Sequence, residues 1–157
     1  MATKQEIVDG MTQLVIQAKR VGKLLDDAGD WDAKRPVGWT PREMFSHVAA
    51  VGGMIASMGP QMLAAPQEFD MTQSTDIGDL NAQTIASMRE MTPDQLMGMI
   101  ETNYRNAADW VQGVPDDQLE APKTFAQMTV PASDIIANLG VLHGNHHLYE
   151  AALRVAF

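Results

Sequence analysis

Cysteine is absent from the 157 residues. The chain can form no disulfide and has no thiolate nucleophile or ligand, so any metal site must be built from imidazole and carboxylate, and any thiol chemistry must use a thiol from outside. Basic residues are scarce: 11 Lys and Arg stand against 20 Asp and Glu, a formal charge of −9. That balance excludes broad contact with DNA, RNA or an anionic membrane and favours a small-molecule partner. Long hydrophobic runs are missing as well, since charge or histidine interrupts every apolar stretch before the roughly 18 residues a membrane span needs. The first residues, Met1 to Glu6, are polar and do not read as a secretory leader, so a cytoplasmic location is expected. Finally, there is no convincing β-branched alternation, which points to an all-α fold. The hydrophobic content of 45% fits a single domain over residues 1–157 that buries roughly two thirds of its extended surface.

Four helical segments account for most of the chain. From Gln5 to Leu25, residues Ile7, Val8, Met11, Leu14, Val15, Ala18, Val21, Leu24 and Leu25 recur at three- and four-residue spacings, and the acidic stretch Asp26 to Asp30 ends the pattern. Thr40-Pro41-Arg42-Glu43 is a helix start: a threonine cap, a proline in the first turn and a glutamate that completes a capping box. The stripe Met44, His47, Val48, Val51 and Ile55 follows, and this helix is expected to fray near Gly59-Pro60. Thr92-Pro93-Asp94-Gln95 repeats the start signal, and Leu96, Met97, Ile100, Tyr104, Ala107, Ala108 and Val111 carry the third helix to about Gly113. The fourth runs from Val130-Pro131 to Leu153. Between the second and third lies a connection from Pro60 to about Glu90, with a loop at Thr72-Gln73-Ser74-Thr75-Asp76 and a short helix over Asn81 to Met91. Connections of that length cross the structure or cover a site, so this segment is the expected lid. Pro115 to Thr129 reads as a second loop. The prediction is a four-helix bundle with a long connection between helices 2 and 3.

The chain has four histidines, and three of them, His143, His146 and His147, fall within five residues. On a helix, His143 and His147 lie on one face, where two ring nitrogens can point at one ion. With Leu139 at the centre of a regular wheel, His143 and His147 fall about 40° and 80° to one side, and His146 becomes the best-buried of the three. Pairing His143 with His146 is thus a geometric alternative. His47, on the inward stripe of the second helix, is the available third ligand. The His-x-x-x-His pair lacks the glutamate of a zincin, which excludes that protease mechanism.

Other conspicuous residues read mainly as structure. Trp31, Trp39 and Trp110 plug bundle ends or line a cavity mouth, the methionines are adaptable packing, and the acidic run Asp26 to Asp32 is a solvated turn. Asn103, Tyr104, Asp109 and Glu150 are the polar residues placed to hold the outer nitrogen of a ligand histidine.

Two blocks carry a resemblance. Trp39-Thr40-Pro41-Arg42-Glu43-Met44-Phe45-Ser46-His47-Val48 resembles the second-helix motif of the DinB-like bundle proteins, a superfamily that includes YfiT-like hydrolase candidates and thiol-dependent transferases. His143-Gly144-Asn145-His146-His147-Leu148-Tyr149-Glu150 is similar to the last-helix motif, which often ends in glutamine where Glu150 stands. The resemblance implies that His47, His143 and His147 are the metal ligands, with zinc or nickel as the expected divalent ion. It also implies a metal-dependent transferase that uses a low-molecular-weight thiol; exposed apolar helix surface is, separately, compatible with a homodimer. The alternatives the resemblance leaves open are a metal-dependent hydrolase and a non-catalytic, metal-stabilised binding or stress-response protein.

Overall fold

The computed structural model describes residues 1–34, 38–70 and 76–153. Its main helices are α1 (Lys4–Ala28), α2 (Pro41–Ala64), α3 (Ile77–Ser87) and α4 (Pro93–Gly113), followed by the short α5 (Asp116–Glu120). Capping boxes start three of them: Thr3, Thr40 and Thr92 each accept a hydrogen bond from the backbone N–H three residues on, and Glu6, Glu43 and Gln95 reach back. Each box satisfies two backbone donors that the helix leaves open. Gly29, in the left-handed conformation at φ 69°, closes α1 by donating to Asp26 and Leu25 carbonyls.

The helix α2 does not fray at Gly59-Pro60 as expected but continues to Ala64. Pro60 forfeits one ladder bond, and tertiary contacts offset it. The Trp110 ring lies flush against Gly59, and the buried Lys123 ammonium donates to the carbonyls of Leu63 at 2.7 Å and Ala65 at 2.5 Å. A cation at that end also complements the helix dipole.

The segment Pro115 to Thr129 is not a loop. After α5 it forms a hairpin of β1 (Pro122–Phe125) and β2 (Met128–Pro131), antiparallel with Phe125 opposite Met128. Its two turn residues, Ala126 and Gln127, have φ of 48° and 65°, values that ordinarily select Gly or Asn in a two-residue hairpin. Here the buried Asp70 carboxylate supplies what the turn sequence lacks, accepting from the Ala126 and Gln127 N–H groups at 3.3 and 2.8 Å. Of the loop expected over 72–76, only Asp76 is among the described residues, where it caps α3 through the Asp79 N–H. The short helix itself begins at Ile77 rather than Asn81 and ends before Met91.

The last long helix has three parts: α6 (Ala132–Ala137), a π-helical segment over Asn138–His143, and α7 (Gly144–Ala152). It packs against α1 and α2, and α4 packs along both of those helices. The core between them is built from Ile7, Met11, Leu14, Phe45, Val48, Leu96, Ile100, Tyr104 and Leu148. Four long helices around one core make the predicted bundle, with the hairpin as a small addition at one end.

Candidate metal centre

The π segment decides which way the histidines face. Had the helix been α throughout, steps of about 100° per residue would put His143 and His147 within about 20° of Ile136, in the middle of the core. A π turn inserts one extra residue into the ladder, so everything beyond it turns by about 100°. The buried line therefore runs Ala132, Ile136, Gly140, Gly144 and Leu148, at intervals of four. His143 and His147 move to the edge of that line beside α2, and His146 turns out to solvent with its side chain 64% exposed. The expectation that His146 is the best buried of the three is corrected here: it came from a wheel centred on Leu139, which is only half-buried, whereas the core line passes through Ile136 and the extra residue turns His146 a further 100° outward. Asn145 steadies the segment by donating to the Val141 carbonyl at 2.9 Å.

The edge meets His47, which the capped start of α2 presents as a buried side chain. One ring nitrogen from each of His47, His143 and His147 lies within 4.8 Å of the others, a group that could hold a metal ion. The Nε2 atoms of His47 and His143 are 2.8 Å apart. The three rings stand nearly perpendicular to one another, at 80° to 88°. His147 Nδ1 faces a Glu150 carboxylate oxygen at 3.0 Å, which leaves Nε2 as its inward atom. That Nε2 is buried without a hydrogen-bond partner. A bare acceptor of this kind is costly in a packed interior unless something binds it. The donor set therefore fits a divalent cation.

Burial keeps the imidazoles neutral, the form that ligates. His47 is pushed down to about 4, first by desolvation and then by His147 and His143. Desolvation also lowers His143, with His147 and His146 adding to it, while Glu150 opposes. His147 is lowered by desolvation against the pull of the Glu150 carboxylate. These shifts set the sign of the acid response in the metal-free protein. Above about pH 6.5 His47 is neutral whether folded or unfolded and costs nothing; as the pH falls towards about 4, the unfolded chain takes up a proton that the folded site refuses. Stability should fall across that window, and His47→Gln should flatten the fall. Urea denaturation of both proteins at several pH values checks this, and parallel curves would contradict it.

The other polar residues separate cleanly. Glu150 takes the place beside His147 Nδ1. Asn103 instead ties α4 to α2 by donating to the Ala49 carbonyl at 2.8 Å. Tyr104 is a core ring, 1% exposed, whose hydroxyl is pushed up by burial, and Asp109 is exposed. Trp31 packs edge-on against Phe45 and donates to Asp26 at 2.7 Å. Arg42 joins Asp32 to the Met91 carbonyl. Of the tryptophans expected at bundle ends or a cavity mouth, Trp39 stands at a cavity mouth, with ring centroids 4.8 Å from His47 and 5.4 Å from His147. Beside it opens a cleft of about 810 Å³ whose lining includes Trp39, Arg42, Glu43, Ser46, Ile85 and Met91. The connection between α2 and α4 thus does border this space, through α3.

Fold and site define a class: a four-helix bundle in which the second and last long helices bring three imidazoles together. The chain is similar to the crystal structure of a mycothiol-dependent maleylpyruvate isomerase, at 17% identity and TM-score 0.71 over 98% of this chain and 68% of that one. It is similar to YfiT from Bacillus subtilis, described as a probable metal-dependent hydrolase with an unusual four-helix bundle topology, at 15% identity and TM-score 0.70 over 98% and 88%. DfsB, a sibling lethal factor precursor, matches at 14% identity and TM-score 0.71 over 96% and 94%. Likeness at these identities establishes the fold. No protein-family model and no curated protein matches the sequence. Among the described residues, no helix is long and apolar enough to cross a membrane.

Proposed function

We propose that His47, His143 and His147 hold one divalent ion, zinc or nickel, and that the protein uses it to activate a low-molecular-weight thiol for transfer to a small-molecule substrate. The observation that carries the reading is the buried, unpartnered Nε2 of His147, turned towards the nitrogens of two other neutral imidazoles. When bound, the ion would supply a Lewis-acidic centre that favours thiolate over thiol in a sulfur brought beside it. The chain's own residues do the rest. Glu150 accepts the Nδ1 proton of His147 and so fixes the tautomer that offers Nε2. Trp39 keeps water from two of the rings, and the cleft is of a size that takes a whole small ligand. The absence of cysteine supports an external thiol, as does the fold shared with an enzyme described as mycothiol-dependent.

The test uses purified protein loaded with zinc, nickel or cobalt. Elemental analysis should find stoichiometric metal, and adding small thiols to the cobalt form should produce sulfur-to-cobalt charge-transfer absorption. Metal without any spectral response to thiols would remove the transfer reading. Absence of stoichiometric metal would remove the site.

A further inference from the structure

The three imidazoles and the adjacent cleft do not open into each other. Among the described residues lining the cleft, none is His47, His143 or His147. The side chain that belongs to both places is Trp39, half-buried, packed on the rings of His47 and His147 and lining the cleft beside Glu43, Ser46, Ile85 and Met91. We infer that the Trp39 indole is a gate, and that a small molecule held in the cleft reaches His47 and His147 only when the indole swings aside.

The backbone around Trp39 suits such a movement. Trp39 precedes the Thr40 cap and lies outside α2, so its displacement breaks no helical hydrogen bond, while the capping box fixes the chain from Thr40 onward. On its other side Gly38 is exposed at φ 93°, and among the described residues no heavy atom lies within 4 Å of where a Cβ would stand. That residue type at that conformation leaves the preceding bond pair free to turn. The indole is large and apolar, so closure is favoured by its contact with the imidazoles. An equilibrium of this kind lowers the apparent affinity for any cleft ligand that needs the histidines by the fraction of time the gate stands open. As a description of ligand access to a metal, the inference rests on the function proposed above. As a statement about access to the imidazoles, it stands alone.

The deciding experiment uses the metal-free full chain and diethyl pyrocarbonate, which acylates accessible neutral imidazoles, with each histidine followed by mass spectrometry. His146, 64% exposed, is an internal reference that reacts quickly in every variant. Trp39→Ala should raise the acylation rates of His47 and His147 relative to His146 by about tenfold or more, the factor expected when a site exposed only in a minor conformer becomes open all the time. Trp39→Phe, which keeps an aromatic wall, should stay near the wild type. Unchanged relative rates in Trp39→Ala would overturn the gate. Should that variant fail to show a cooperative melt, Trp39→Leu decides in its place by the same ratio. On zinc-loaded protein, Trp39→Ala should also speed zinc loss to a chelator more than it weakens equilibrium affinity. A wild type that binds no zinc would end the proposed function but leave the acylation result to judge the gate.

Discussion

Replacing His47 with alanine is expected to abolish stoichiometric metal binding while the helices stay formed. His143 and His147 come from one helix, and His47 is the imidazole that meets them from α2. Without it the remaining pair leaves an ion two imidazoles, too few for the three-ligand arrangement of an open zinc site. The variant also loses a side chain that is 5% exposed and its contact with Trp39. Large-to-small core replacements cost about 2–5 kcal/mol; this polar site at the edge of the core should fall at or below the lower end. Elemental analysis after dialysis, beside far-ultraviolet circular dichroism, measures both parts. His146→Ala is the matched control, expected to retain its metal and to shift stability by no more than about 0.5 kcal/mol, as for other exposed positions. Full metal occupancy in His47→Ala would refute the three-histidine site. Loss in His146→Ala with His147→Ala harmless would show that the wrong pair had been chosen.

Gly52→Ala should be among the most destabilising single-methyl additions in the chain. A Cβ at Gly52 would lie 2.6 and 2.7 Å from two ring carbons of Tyr104, and a Cβ at Gly144 would lie 2.9 Å from the hydroxyl at the far end of that ring. Tyr104 is thus held between α2 and α7, and it cannot slide away from one without pressing on the other. Overpacking of this kind costs about 1–3 kcal/mol, against which alanine recovers up to about 1 kcal/mol of helix propensity over glycine. A net loss of about 1–2 kcal/mol would lower the melting temperature by about 2–8 °C in a domain of this size. The control is Gly98→Ala on the same bundle, where nothing stands within 4 Å of the added atom and propensity alone should stabilise. If Gly52→Ala melts at or above the wild type, Tyr104 has room to move and the close approach of α2 and α4 is not a packing constraint.

Most of the bundle was legible because its starts are written in local chemistry. Thr40-Pro41-Arg42-Glu43 and Thr92-Pro93-Asp94-Gln95 contain their capping partners within four residues, and the structure forms both boxes. The misses share a different cause: in each, a distant residue overrides the local signal. Pro60 should stop α2, but Lys123, some sixty residues on, caps the carbonyls beyond it. Ala126-Gln127 has no turn chemistry of its own and borrows Asp70. In the site, the convergence of His47, His143 and His147 followed the motif resemblance, whereas the helical wheel alone favoured His146. No composition or period in 138–143 announces a π turn, so the phase of everything beyond it was out of reach. Trp39 was legible as an aromatic of a bundle end or a cavity mouth, but the choice between the two was not, because it depends on α3 and the α3–α4 junction lying opposite.

The π segment also separates two quantities that a regular helix ties together, chain length and facing. In an α-helix, removing a residue swings all that follows by about 100°. Here the surplus residue is already absorbed in the wide turn of Asn138–His143. Taking one residue out of 138–142 can therefore leave a plain α-helix with His143 and His147 still directed at α2. Tightening the turn without shortening the chain would drive both into the core. The last helix tolerates losing a residue where it does not tolerate becoming regular.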